Sequence, residues 1–172
     1  LEKHLLETPP LALEQSKKEI VRMLGLAGSA LRNAFDMYMT GNTALAGKVH
    51  RREEAVDNLQ AEITRYLIDI SMEGLEEEDA EKLPVFIHSV NDIERIGDNA
   101  ENIVELAQRR IDQKLDFTEM ASGELTAMFE LASSMLDDVC TGFSEGDGDS
   151  AREALEKERE LNMRSEPLNE DK

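Results

Sequence analysis

The stretch that decides the reading of this chain is Ile93-Glu94-Arg95-Ile96-Gly97-Asp98-Asn99-Ala100-Glu101-Asn102. It sits inside a helical pattern whose apolar series runs Leu83, Phe86, Val90, Ile93, Gly97, Ala100, Val104, Ala107, Ile111. Steps of three and four are the seam of a helix packed in a bundle. Glu94 and Asp98 follow that seam by one residue and stand four apart, one above the other on the helix. Like charges at that spacing repel, so the pair costs stability unless a cation or a basic partner offsets it. The preceding helical segment repeats the arrangement. Its seam is Val49, Arg52, Val56, Leu59, Ile63, and Glu53 and Asp57 again follow by one residue.

Composition frames how much weight a single pair carries. Acidic residues number 38 of 172, and random placement alone gives roughly eight acidic i,i+4 pairs. Taken singly, each pair therefore reads as a solvated acidic face. Two pairs on the same side of two seams can converge, and oxygen-rich clusters suit hard or borderline cations such as Mg, Mn or Fe. Gly97 at a seam position permits close approach of a neighbouring helix, with or without a metal. Arg95 is a partner for an acidic neighbour or an exposed side chain. Asn99 and Asn102 read as groups supporting a site or as surface. His50, just ahead of the second acidic pair, is a candidate ligand; a helix-surface histidine is the alternative.

The formal charge of −19 argues against nucleic acid or an anionic membrane surface as partner, since both require basic patches. Aromatic residues at 4%, eight Met and no Trp are the composition of an all-helical protein. Cys140 stands alone and supports neither a disulfide framework nor a cysteine zinc site; a buried position is expected for it. The methionines Met23, Met37, Met39, Met128 and Met135 read as core filler. No run approaches the ~18–20 apolar residues of a membrane span. A chain opening Leu1-Glu2-Lys3, without a signal peptide, reads as a piece of something longer.

Five helical segments are expected: 11–39 after Thr8-Pro9-Pro10, with Thr8 as a cap; 43–71 after Gly41-Asn42; 77–111 with Pro84 near its start; 117–143; and a fifth from about 150 that loses definition at Pro167. An internal repeat organises them. A shift of 105 residues lays Glu19-Ile20-x-x-Met23-x-x-Leu26-Ala27-x-Ser29-x-Leu31 on Glu124-Leu125-x-x-Met128-x-x-Leu131-Ala132-x-Ser134-x-Leu136. Gly41-Asn42 falls on Gly146-Asp147, Ala46 on Ala151, and Glu53 and Asp57 on Glu158 and Asn162. A repeat of this length is a supersecondary unit. The expected organisation is a linker over 1–10, a three-helix unit over 11–112, and a partial second unit of two helices over 113–172.

Asp92-Ile93-Glu94-Arg95-Ile96-Gly97-Asp98-Asn99-Ala100-Glu101-Asn102-Ile103 resembles the third-helix motif of PhoU-type domains. Glu53-Glu54-Ala55-Val56-Asp57-x-Leu59-x-x-x-Ile63 resembles their second-helix motif. Thr8-Pro9-x-Leu11-Ala12 with Glu19-Ile20-Val21-Arg22-Met23 is similar to the start of the PhoU-like region at the C-terminus of bacterial sodium/phosphate cotransporters. The resemblance implies an all-α, PhoU-like up-down helical bundle and a regulatory role in phosphate homeostasis. It implies divalent or iron-type metal ions as cofactors, with Glu53, Asp57, Glu94 and Asp98 as ligands and Glu158 and Asn162 for the second unit. Asn162 departs from the pattern by lacking a carboxylate. The partner implied is a membrane transporter domain of the same polypeptide, at the cytoplasmic face of the cell membrane, with a homo-oligomer as a further expectation and no nucleic acid.

Two alternatives stand beside this reading: a free-standing PhoU-type negative regulator of phosphate import, and a metal-dependent carboxylate-bundle enzyme. No histidine stands three residues after a glutamate, and there is no phosphate-cradling glycine loop or nucleophile elbow. Those absences count against the enzyme.

Overall fold

A computed structural model describes residues 1–169. Helix is the only regular structure among them. In order these are α1 (Pro9–Thr40), α2 (Ala46–Ser71), the single turn α3 (Glu77–Ala80), α4 (Lys82–Gln113), α5 (Glu119–Glu145) and α6 (Gly148–Asn169). Chain contacts separate two compact units, Leu1–Ala107 and Gln108–Lys172.

The first unit packs α1, α2 and α4 around the seams read from the sequence. Val49, Val56, Leu59 and Ile63 of α2 are buried, as are Phe86, Val90, Ile93, Gly97, Ala100 and Ala107 of α4. Arg52, on the same α2 seam, is half-buried. At one end of the bundle Ala30 and Ala34 of α1 meet Val49 and Ala100, with Ile103 and Val104 against them. Small residues there let three helices approach closely. Met23 and Met37 are fully buried, whereas Met39 is only half-buried.

Several termini differ from expectation for local reasons. Thr8 precedes α1, but its side chain makes no capping bond; its carbonyl instead accepts the N–H groups of Leu11 and Ala12. The helix begins two residues early, at Pro9, where a proline loses no helical hydrogen bond. Thr43–Leu45 forms a 3-10 turn ahead of α2. The expected third helix is split into α3 and α4, and Pro84 lies in the first turn of α4. Thr118 caps α5 by accepting from the Ala121 N–H at 3.2 Å. α6 continues to Asn169, past Pro167, since one proline withdraws a single backbone donor while neighbouring turns keep theirs. The opening segment is tied back to its unit: the Tyr66 hydroxyl donates to the Glu2 carbonyl at 2.8 Å, and the Glu2 N–H donates to Gln15 Oε1 at 3.0 Å.

The second unit is the hairpin of α5 and α6, built as α1 and α2 are. Gly41 and Gly146, 105 residues apart, end their helices in the same left-handed conformation, φ 72° and 70°. The next residue closes the same local bond in both copies. Asn42 Oδ1 accepts the Ala44 N–H at 3.2 Å, and Asp147 Oδ1 accepts the Asp149 N–H at 3.1 Å. Across the hairpin, Lys157 Nζ donates to Ser134 Oγ at 2.7 Å and pairs with Asp138. Cys140 is half-buried rather than buried, and Met128 and Met135 share that state because no helix in this unit is fully covered.

Candidate metal centre

α2 and α4 run antiparallel, and their side chains fix the register. His50 faces Glu101, with Nδ1 2.6 Å from Oε1, and Gln60 donates to Asn91 Oδ1 at 3.2 Å. Midway between these contacts, a Cβ built on Gly97 would lie 3.3 Å from Val56 Cγ1 and 3.9 Å from Glu53 Cγ. The missing side chain at 97 is what lets α2 sit this close. Residues one step past each seam are thereby brought face to face.

Carboxylate oxygens of Glu53, Asp57 and Asp98 lie within 4.8 Å of one another. A second cluster of the same tightness joins His50, Glu53 and Glu101, so Glu53 belongs to both. The acidic line on α4 runs Glu94, Asp98, Glu101, opposite Asp57, Glu53, His50 on α2. Of the six sequence candidates, Glu53, Asp57 and Asp98 are brought together. Glu94 is half-buried on the same line but belongs to neither cluster among the described residues. Glu158 and Asn162 are both exposed on α6, and Glu158 joins no cluster among the described residues. Glu101 was not anticipated; its place one turn beyond Asp98 was the available signal.

The charges show the strain of this convergence. Glu53 is pushed up to about 7, first by burial, then by the Asp57 charge, with Glu101 and a hydrogen bond to Asp57 adding to it. Glu94 is raised by burial and by the charges of Asp98 and Asp57. His50 is raised by its hydrogen bond to Glu101 and by that carboxylate's charge. Three carboxylates with oxygens within 4.8 Å of one another, and a histidine beside Glu53, form a donor set that fits a hard or borderline cation. Around it the side chains are less committed. Arg95 lies 3.7 Å from Asp92 on the exposed face, and Asn99 and Asn102 are exposed.

Residues 20–107, which contain both acidic motifs, all of α2 and most of α1 and α4, match the PhoU domain family. The chain belongs to that family. It is 28% identical over 147 residues to the phosphate-specific transport system accessory protein PhoU homolog of Aquifex aeolicus, covering 85% of this chain and 65% of that protein. It is 31% identical over 88 residues to PhoU homolog 1 of Thermotoga maritima, covering 51% and 37%. A PhoU homolog of Xylella fastidiosa is 24% identical over 158 residues, covering 92% and 66%. The chain thus spans less than two thirds of the length of the curated relatives it matches. No described helix is long and apolar enough to cross a membrane.

Proposed function

We propose that this PhoU-family chain is an accessory regulator of phosphate transport, non-catalytic, whose α2–α4 acidic seam binds a divalent or iron-type cation. The convergence of Glu53, Asp57 and Asp98 within the family-matched residues carries the metal reading. Glu53, Asp57 and Asp98 would hold the ion, with His50 and Glu101 as the adjoining donors. A bound cation supplies positive charge that offsets the mutual repulsion of the three carboxylates. The chain's own contribution is the rigid register of α2 against α4, set by Gly97 and Val56, which keeps the donors converged.

The regulatory role is supported by the curated relatives, each of which is named as an accessory protein of phosphate-specific transport. They favour the free-standing PhoU-type regulator over a domain attached to a sodium/phosphate cotransporter. The attached form rests on the resemblance of the residues from Thr8 to Met23, and the complete reading frame decides between the two. The experiment that tests the role is phosphate uptake by cells in which the gene is deleted and then restored. Altered uptake on deletion, corrected by the wild-type gene, supports the reading; unchanged uptake at both high and low external phosphate overturns it.

A further inference from the structure

The two hairpins of the repeat place a base of the second helix against the first helix, and only one of them supplies its counter-charge. In the second copy Lys157 of α6 donates to Ser134 Oγ at 2.7 Å and pairs with the Asp138 carboxylate of α5. The residues 105 positions earlier are Arg52, Ser29 and Asn33. Val49, one turn before Arg52, packs in one cluster with Ala30 and Ala34 of α1. That register puts Arg52 opposite the turn of α1 between Ser29 and Asn33. The base and the hydroxyl are kept, and an amide replaces the carboxylate. All three residues are half-buried. Arg52 makes no ion pair or hydrogen bond among the described residues, and neither does the Ser29 hydroxyl. The Asn33 amide gives one N–H to the Ser29 carbonyl at 2.8 Å and keeps a second. A half-buried guanidinium loses part of its hydration, which only acceptors can restore.

The surrounding charges are reversed between the copies. At positions 32, 33, 36, 48, 51 and 52 the first copy has four bases, Arg32, Lys48, Arg51 and Arg52, and one acid, Asp36. The matching positions of the second copy hold four acids, Asp137, Asp138, Glu153 and Glu156, and one base, Lys157. The Arg32 guanidinium lies back along α1, 3.7 Å from where a Cβ on Gly28 would stand, at the turn of Ser29. Glu53, next to Arg52, is turned to the α4 side of α2, against Gly97, and Glu54 is exposed. In a chain of net charge −19 this is a local excess of positive charge around an unpaired guanidinium. We infer that Arg52, with Ser29 and Asn33, forms a binding site for a phosphate-type oxyanion, whose oxygens stand where the Asp138 carboxylate stands in the second copy. The guanidinium fork matches two oxygens of such an anion, and the hydroxyl and the amide N–H are donors for the others. The choice of phosphate among oxyanions rests on the regulatory reading above.

The test is calorimetric titration of the full chain with inorganic phosphate at low ionic strength, after chelator has removed any metal that could bridge the anion. Saturable one-to-one binding is expected, weakened by salt and at least about ten-fold weaker in Arg52→Gln. Asn33→Asp supplies a carboxylate from the chain itself, as Asp138 does. It should abolish phosphate binding while stability to urea is kept or raised, and it decides the matter if Arg52→Gln fails to fold. Unchanged binding in Asn33→Asp or in folded Arg52→Gln overturns the site, as does a wild-type chain that shows no saturable binding. Acetate bound as tightly as phosphate would make a carboxylate the ligand and overturn the choice of phosphate. Phosphate uptake after gene deletion is read separately: altered uptake without phosphate binding removes this site and leaves the regulatory role standing.

Discussion

Gly97 of α4 and Val56 of α2 meet so closely that a Cβ at position 97 would stand 3.3 Å from Val56 Cγ1. Val56 is fully buried and branched at Cβ, so it has little room to turn away. Gly97→Ala gains about 1 kcal/mol of helix propensity and loses about 1–3 kcal/mol to overpacking. The expected net change in urea unfolding is a loss of about 1 kcal/mol, relieved in part when Val56→Ala is added. Gly25 of α1 has open space around its missing Cβ. Gly25→Ala should therefore stabilise by about 0.5–1 kcal/mol, and a loss there would show that the contrast between the two glycines is misread.

The left-handed stops at Gly41 and Gly146 are the same device used twice. Replacing either with alanine puts a Cβ into a conformation that costs about 1–2 kcal/mol for an L-residue. Gly41→Ala and Gly146→Ala are each expected to lower stability by roughly 1 kcal/mol. Loss at only one of them would mean that the two turns are not equivalent.

Stability should fall as pH rises through the neutral range. Glu53 is raised in the folded chain from 4.5 to about 7, so the fold carries no penalty from it below 4.5. The penalty grows between 4.5 and about 7 and is complete above. His50 acts in the same direction: the stability from its pairing with Glu101 is present below 6.5 and is lost as pH rises through its raised value. Thermal unfolding in chelator should thus give a lower Tm at pH 8 than at pH 5. Glu53→Gln should flatten the profile, raising Tm at pH 8 while leaving it nearly unchanged at pH 4. A wild-type profile that rises with pH would contradict this electrostatic picture.

Much of this was legible in the sequence because it is written in local periodicity. The seam from Phe86 to Ala107 is buried nearly as the three-four spacing requires, with Val104 half-covered. The shared 105-residue offset anticipated that helices stop at both Gly41 and Gly146; their left-handed conformation is seen only in the structure. Thr8 failed as a side-chain cap because its backbone, at ψ 80°, departs from the extended conformation from which a cap's hydroxyl reaches the first turn. The pairing of His50 with Glu101 was not legible, since it depends on which turn of α2 faces which turn of α4. That register is set by tertiary packing such as Gly97 against Val56, which no local pattern encodes. Nor did the repeat reveal that Leu125 and Met128 would be only half-covered, because coverage depends on what packs over a face and not on the residues themselves.

The central claim is that the α2–α4 acidic seam binds a cation, and manganese titration of the chelator-stripped full chain tests it most directly. Calorimetry is expected to show saturable Mn(II) binding accompanied by a rise in Tm. Asp98→Asn together with Glu53→Gln should abolish both, while the metal-free double variant is as stable as the wild type or more so, because repulsion is relieved. If Mn(II) and Fe(II) produce no saturable binding, or if the double variant binds as the wild type does, the carboxylates of Glu53, Asp57 and Asp98 are a solvated acidic face and the account is wrong.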